Sequence, residues 1–325
     1  MRSLRLAVSG IALAALVLGS LAVAAPAGAA VDCSVRNKSR GGSYTDLQAA
    51  IDDAHSGDVL HVKGTCSGTF DVDKSLRVRG GSTNRATLDG AESGTTITVE
   101  QFVTLKLAYV VVTGGNANGD GGGIDNIGTL RIKDSDISNN EASAEGGGIF
   151  NEGAGTVNAR NVTVDNNVAG QAGGGIANEA GTVNLNQVTL RGNSAIVVAT
   201  GILRGTSVGT AGGALFNADN GTMNIQNSTV GKNARSNEAD DGGGLFAESG
   251  TTTILGAKIH HNVAAHDGGG IFVDQAATVN IQDSAVTFNN AGPSPSGGGV
   301  FDCGQFNPLT TTIANNDPDQ VVICA

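Results

Sequence analysis

Between Arg204 and Asp267 the chain gathers Arg204, Arg235, Glu238, Asp240, Asp241, His260, His261, His266 and Asp267 within three successive loops. Paired carboxylates such as Asp240-Asp241 suit acid–base cleavage of a glycosidic bond, and histidine adds a group that titrates near neutral pH. Arg204, Asp240, Asp241, His261 and Asp267 are therefore the catalytic candidates. The plainer reading makes Asp240-Asp241 a solvated turn and the histidines surface residues. Asp120, Glu145, Asp241 and Asp267 form a second set, each standing immediately before a run of glycines. Hard oxygen ligands of this kind suit calcium. Ala172 and Ala211 take the matching places in two intervening units, so that column of acids is broken.

What must position these residues is a repeat. GGGIDN (121–126) returns as GGGIFN (146–151), GGGIAN (173–178), GGALFN (212–217), GGGLFA (242–247), GGGIFV (268–273) and GGGVFD (297–302). Successive starts lie 25, 27, 39, 30, 26 and 29 residues apart. The longest interval places its extra residues in SAIVVATGILRGTSVGTA (194–211), around Arg204. Each unit also holds an alternating strand such as Thr182-Val183-Asn184-Leu185, and a second of the form Ser-x-Val-x-x-Asn, as in Ser135 to Asn140 and Ser228 to Asn233. Period-two alternation points Val and Ile inward and Thr and Asn outward. Three short strands per unit with no helical period predict an all-β chain, a right-handed parallel β-helix of stacked coils. The glycines are then corner residues able to enter φ > 0, and a strand follows each triplet where a phosphate loop would need a helix. The recurrent asparagine has two accounts, an amide ladder or tolerance of the left-handed corner. Gly115 occupies the matching place in an earlier coil and cannot ladder, which favours the corner.

The ends read differently. Residues 1–30 carry Arg2 and Arg5, an apolar run Leu6 to Ala25 and the small-x-small site Ala27-Gly28-Ala29, the pattern of a secretory signal peptide. Residues 31–325 then form one domain: cap and first coils at 31–115, glycine-phrase coils at 116–302, and a C-terminal cap at 303–325. Thr45-Asp46-Leu47-Gln48 reads as a capping box, opening a short helix whose Leu47, Ala50, Ile51 and Ala54 cover the first coil. Four cysteines, Cys33, Cys66, Cys303 and Cys324, lie near the termini. An even count in an exported chain favours disulfides over zinc. Of the three pairings, Cys33–Cys66 with Cys303–Cys324 keeps each bridge inside one terminal region.

The formal charge is −11, and loss of Arg2 and Arg5 with the signal lowers it to −13. That argues against nucleic acid and anionic lipid as partners. The chain has no Trp and two Tyr, so small aliphatic side chains must fill the interior. Phe150, Phe216, Phe246, Phe272 and Phe301 share one place in the repeat, as an apolar stripe if outward or as core if inward. Thr129, Thr156, Thr182, Thr222, Thr251 and Thr278 align in a polar row, beside Asn158, Asn184, Asn224, Asn280 and Asn307.

The repeats resemble the GGAI-type repeats of chlamydial polymorphic outer-membrane proteins. They are also similar to a broad group of exported bacterial right-handed parallel β-helix proteins, whose cap region YTDLQAAIDDAHSGDVLHVKGTC and TLDG (87–90) resemble. The resemblance implies the fold and leaves the activity open, because adhesins, lyases, hydrolases and scaffolds share it. Arg131-Ile132-Lys133 matches a polygalacturonase tripeptide, but no Asn-Thr-Asp or Gly-His-Gly precedes it, and the match reads as coincidence. The expectation is a secreted, monomeric, non-enzymatic binding or structural module, free or cell-surface associated, needing no cofactor and facing extracellular polysaccharide or protein. The alternative is a polysaccharide lyase, pectate-lyase-like and with calcium as its cofactor, or a glycoside hydrolase, working at the Arg204–Asp267 corner; ice binding through the threonine row ranks third.

Overall fold

The computed structural model describes residues 32–196, 210–293 and 295–324, and the expected signal peptide and Arg204 lie outside these. Among the described residues the chain forms a parallel β-solenoid of about 9 turns, 54% strand and 3% helix. Register is kept from coil to coil. Thr104, Thr129, Thr156, Thr182, Thr222, Thr251 and Thr278 form one outward row. One residue further on, Leu130, Val157, Val183, Met223 and Val279 are fully buried. A tube this narrow is filled by one aliphatic side chain per position per coil, each contributing about 1.5–3 kcal/mol by burial, which explains the scarcity of aromatics.

Besides the three expected strands, a fourth of two residues recurs: Asn116–Ala117, Glu141–Ala142, Val168–Ala169, Ser194–Ala195, Glu238–Ala239 and Val263–Ala264 stack as a separate ladder. It is too short for an alternation pattern to announce it.

The glycine triplet serves two purposes where one was expected. The first glycine of each phrase does take φ > 0, from +56° at Gly297 to +67° at Gly121. The later glycines are needed for space instead. A Cβ on Gly148 would lie 2.5 Å from the carbonyl oxygen of Gly175 in the next coil.

The asparagine expectation is corrected. Asn140, Asn167, Asn193, Asn237, Asn262, Asn289 and Asn316 are buried and form an amide ladder, Nδ2 donating to the next Oδ1 at 2.8–3.1 Å. The left-handed conformation falls one residue earlier, on Asn139, Asn166 and Asn315. Gly115 does not break the ladder, because its backbone N–H donates to Asn140 Oδ1. Asn233 is exposed, and Asn237 takes its place after the extra residues of that coil. A second buried ladder runs Asn126–Asn151–Asn178–Asn217 and ends on the hydroxyl of Thr252.

The helix Leu47–Asp53 buries Leu47, Ala50 and Ile51 over the first coil. Its N-cap is Asp46, one residue later than the capping box predicts. Gln48 is thereby freed to exchange two hydrogen bonds with the backbone of Asp71, tying helix to coil. At the other end residues 303–324 continue the stack as a further coil, with Gln305–Leu309, Thr312–Ala314 and Val321–Ile323 in parallel register. There Gln320 turns back: its Oε1 accepts from Asn316 Nδ2 and from the Asn316 N–H, both at 3.1 Å. Cys33–Cys66 and Cys303–Cys324 are bridged, as expected.

Candidate functional site

Coil stacking brings Asp241 and Asp267 together and sets His261 apart from them. Asp240 is engaged with Thr210, accepting its N–H at 3.0 Å and donating its own to the hydroxyl. Asp241 accepts the Asp267 N–H at 2.9 Å. Burial raises the carboxyls of both Asp241 and Asp267, and their mutual repulsion raises Asp267 further. His261 lies on a left-handed corner, stacked on Phe288 at 5.3 Å, with its Nδ1 2.7 Å from that of His260. Arg235 pairs with Asp165, which also holds Arg191. The aspartates are thus occupied as inter-coil clasps, and His261 finds its partners on a different corner.

The acid column of Asp120, Glu145, Asp241 and Asp267 is real as an alignment, since Glu145, Ala172, Ala211 and Asp241 bridge in turn. Asp120 accepts the Glu145 N–H as Asp241 does that of Asp267. Burial, with the carboxyl of Glu179 alongside, pushes Glu145 up to about 8. Among the described residues no three His, Cys, Asp or Glu side chains are grouped to hold a metal ion.

The outward residues that do converge are basic, and of them the sequence singles out only Arg131 and Lys133, in a tripeptide that reads as coincidence. Arg77, Lys106, Arg131 and Asn158 stand in one row of register; His61, Arg79, Ala108, Lys133 and Arg160 stand in the row two residues on. Between them opens a cleft of about 660 Å³ lined by Arg77, Arg79, Lys106, Tyr109, Arg131, Lys133 and Arg160. Ala108 is the small residue that leaves room for it. Neighbouring depressions of about 430 and 490 Å³ extend the basic face toward His61, Lys63 and Arg85 and toward Gln187. Burial, then Lys38, Arg79 and Lys63, push the His61 imidazole down.

Tyr109 sets this cleft apart from the later coils. Its φ is +56°, at a corner where later coils place Asp134, Asn161, Gln187, Asn227, Gly256, Asp283 and Thr310, five of the seven being Asn, Asp or Gly. Asn, Asp and Gly accept that conformation readily, whereas a bulky aromatic does not. The ring lies 5.1 Å from the Arg79 guanidinium carbon and 5.9 Å from Lys133 Nζ. Among the described residues Arg77, Arg79, Lys106, Arg131 and Arg160 have no carboxylate within 4.0 Å. Like charges one coil apart repel, so the rows are destabilising until an anion neutralises them.

A signal for this cleft existed. LRVR (76–79), TLKL (104–107) and TLRIK (129–133) alternate apolar and basic in consecutive coils. Whole-chain acidity hid it, because 12 of the 17 Lys and Arg beyond residue 30 precede residue 161.

The phenylalanines of the glycine phrases lie outside the main core, with Phe150 and Phe216 buried and Phe246, Phe272 and Phe301 half-buried. Phe150, Ala177 and Phe216 form an apolar cluster separate from the main core, with Phe246 packed against it. Searches against protein-family models, curated proteins and solved structures find no match to this chain.

Proposed function

We propose that this chain is an exported, non-enzymatic module that binds an extended anionic glycan across the basic face. The observation that carries this reading is the pair of cationic rows around Tyr109. Among the described residues Arg77, Arg79, Lys106, Arg131 and Arg160 have no carboxylate within 4.0 Å, and Lys133 has that of Asp134 at 4.0 Å. In the row Arg77, Lys106 and Arg131 the cations repeat at the coil spacing of about 4.8 Å, a linear array suited to a polymer with regularly spaced carboxylates or sulfates. Arginine forks bind such groups bidentately, and Tyr109 offers a flat face for a sugar ring. Export rests on Arg2, Arg5 and the apolar run Leu6 to Ala25, and the two disulfides fit an oxidising compartment. The resemblance to GGAI-type surface repeats supports the same setting. A single aromatic ring is a poor platform for successive nucleobases, which favours a glycan over single-stranded nucleic acid.

The test is calorimetry of the secreted protein against polyuronate, a sulfated glycan, a neutral glucan and a single-stranded oligonucleotide. Acidic glycans are expected to bind, with affinity falling as salt rises. Lys106→Glu/Arg131→Glu should lose at least about tenfold, since each contact displaces condensed counterions. Equal affinity for the oligonucleotide, or binding unchanged in the double variant, would overturn the reading. Unsaturated products, with or without calcium, would replace it by that of a lyase, which the cationic cleft beside Tyr109 also favours.

A further inference from the structure

A second outward surface lies along the strands that follow the glycine phrase, apart from the cationic cleft. Its floor is Phe246, Phe272 and Phe301, the half-buried end of an in-register row whose earlier members Phe150, Ala177 and Phe216 are buried. Over the last coils the rings stack face to face, Phe246 on Phe272 at 4.5 Å and Phe272 on Phe301 at 5.2 Å, each half-buried.

What flanks the floor follows from the middle coils. Ala172 and Ala211 pack against the buried members of that row on one side and belong to the row that continues as Asp241. Asp267 follows one coil later, its amide held by the Asp241 carboxylate. Glu248 and Asp274 stand two residues beyond Phe246 and Phe272, on the same outward side by strand alternation. Glu248 is raised by burial and then by the charges of Asp219 and Asp274. Among the described residues none of Asp241, Asp267, Glu248 and Asp274 has a Lys or Arg within 4.0 Å. A stack of aromatic faces thus runs between two walls of unneutralised carboxylates. A bare inorganic cation would satisfy the walls and leave the rings idle. An apolar ligand would do the reverse.

We infer that this trough docks an extended Lys- and Arg-rich segment of a partner protein. The methylene stems and cationic heads of such side chains match ring faces and carboxylates together. Three stacked rings span two coil spacings, about 10 Å, which three residues of extended chain cover at about 3.3 Å each. Alternate side chains then point to the floor.

The experiment is fluorescence anisotropy of the secreted protein with a labelled Lys-Thr repeat peptide, with a Gln-Thr peptide as control. Binding of the lysine peptide alone is expected. Glu248→Gln/Asp274→Asn, which preserves shape, should weaken it at least about tenfold. Phe272→Leu keeps the floor apolar without a π face and should weaken it several-fold, while Lys106→Glu/Arg131→Glu leaves it unchanged. The proposal fails if the carboxamide variant binds as well as the parent. It fails equally if spermidine displaces the peptide with no dependence on Phe272, which would mark diffuse attraction. Sedimentation showing salt-sensitive self-association, abolished by Lys106→Glu/Arg131→Glu, would assign the trough to a second copy and overturn it too.

Discussion

Asn167 donates from Nδ2 to Oδ1 of Asn193 at 3.0 Å, and that same oxygen accepts the backbone N–H of Asn167 at 3.1 Å. One side chain thus satisfies both a side chain and a main chain in the coil beside it. Asn167 also caps the Ile137 carbonyl and receives Asn140. Asn167→Leu should strand these buried groups and cost about 2–4 kcal/mol, read as a lower denaturant midpoint. Asn184→Ala on the outward row should cost under about 0.5 kcal/mol. Equal losses would remove the ladder as a source of stability.

Glycine substitutions should sort by cause. Gly153 has φ +57° and open space around it, so Gly153→Ala should cost about 1 kcal/mol in backbone conformation alone. Gly148→Ala meets the Gly175 oxygen and should cost about 1–3 kcal/mol through overpacking that coils must move apart to relieve. Thermal unfolding of the two variants checks the ranking, and a larger loss at Gly153 would contradict it.

Tyr109 holds a left-handed corner that its neighbours assign to smaller residues. Tyr109→Asn is expected to raise unfolding free energy by about 0.5–1 kcal/mol while weakening binding of acidic glycan. A variant that loses stability would show that the ring is structural instead.

The pH dependence follows from Glu145. Its folded pKa of about 8 exceeds the ordinary 4.5, so between those values the folded state keeps a proton the unfolded chain has released. The stability is fully present below pH 4.5 and is lost as pH rises toward 8. Glu145→Gln should flatten that decline and stabilise the protein at pH 8 by about 1–2 kcal/mol. Parallel pH profiles of parent and variant would contradict this.

Much of the fold was legible because the repeat enforces it. The glycine phrase, the alternation at Thr182 to Leu185 and the helix over Leu47 each express a local rule. The asparagine ladder is hidden in the sequence because Gly115 has no amide side chain to contribute, whereas a backbone N–H can enter such a ladder where a side chain is missing. Asp240, Asp241 and His261 drew attention as titratable types, but their partners come from neighbouring coils, which spacing along one coil does not reveal. The basic cleft was hidden for the same reason: Arg77, Lys106 and Arg131 become neighbours only once register is known.

Gln320 returns on Asn316 and finishes the amide row from within the chain. A row closed this way offers the next molecule no template, and the coils before it are interchangeable in register. Length is therefore editable. Duplicating one internal unit, such as residues 141–167, should yield a longer stack of coils with the same cap and stop.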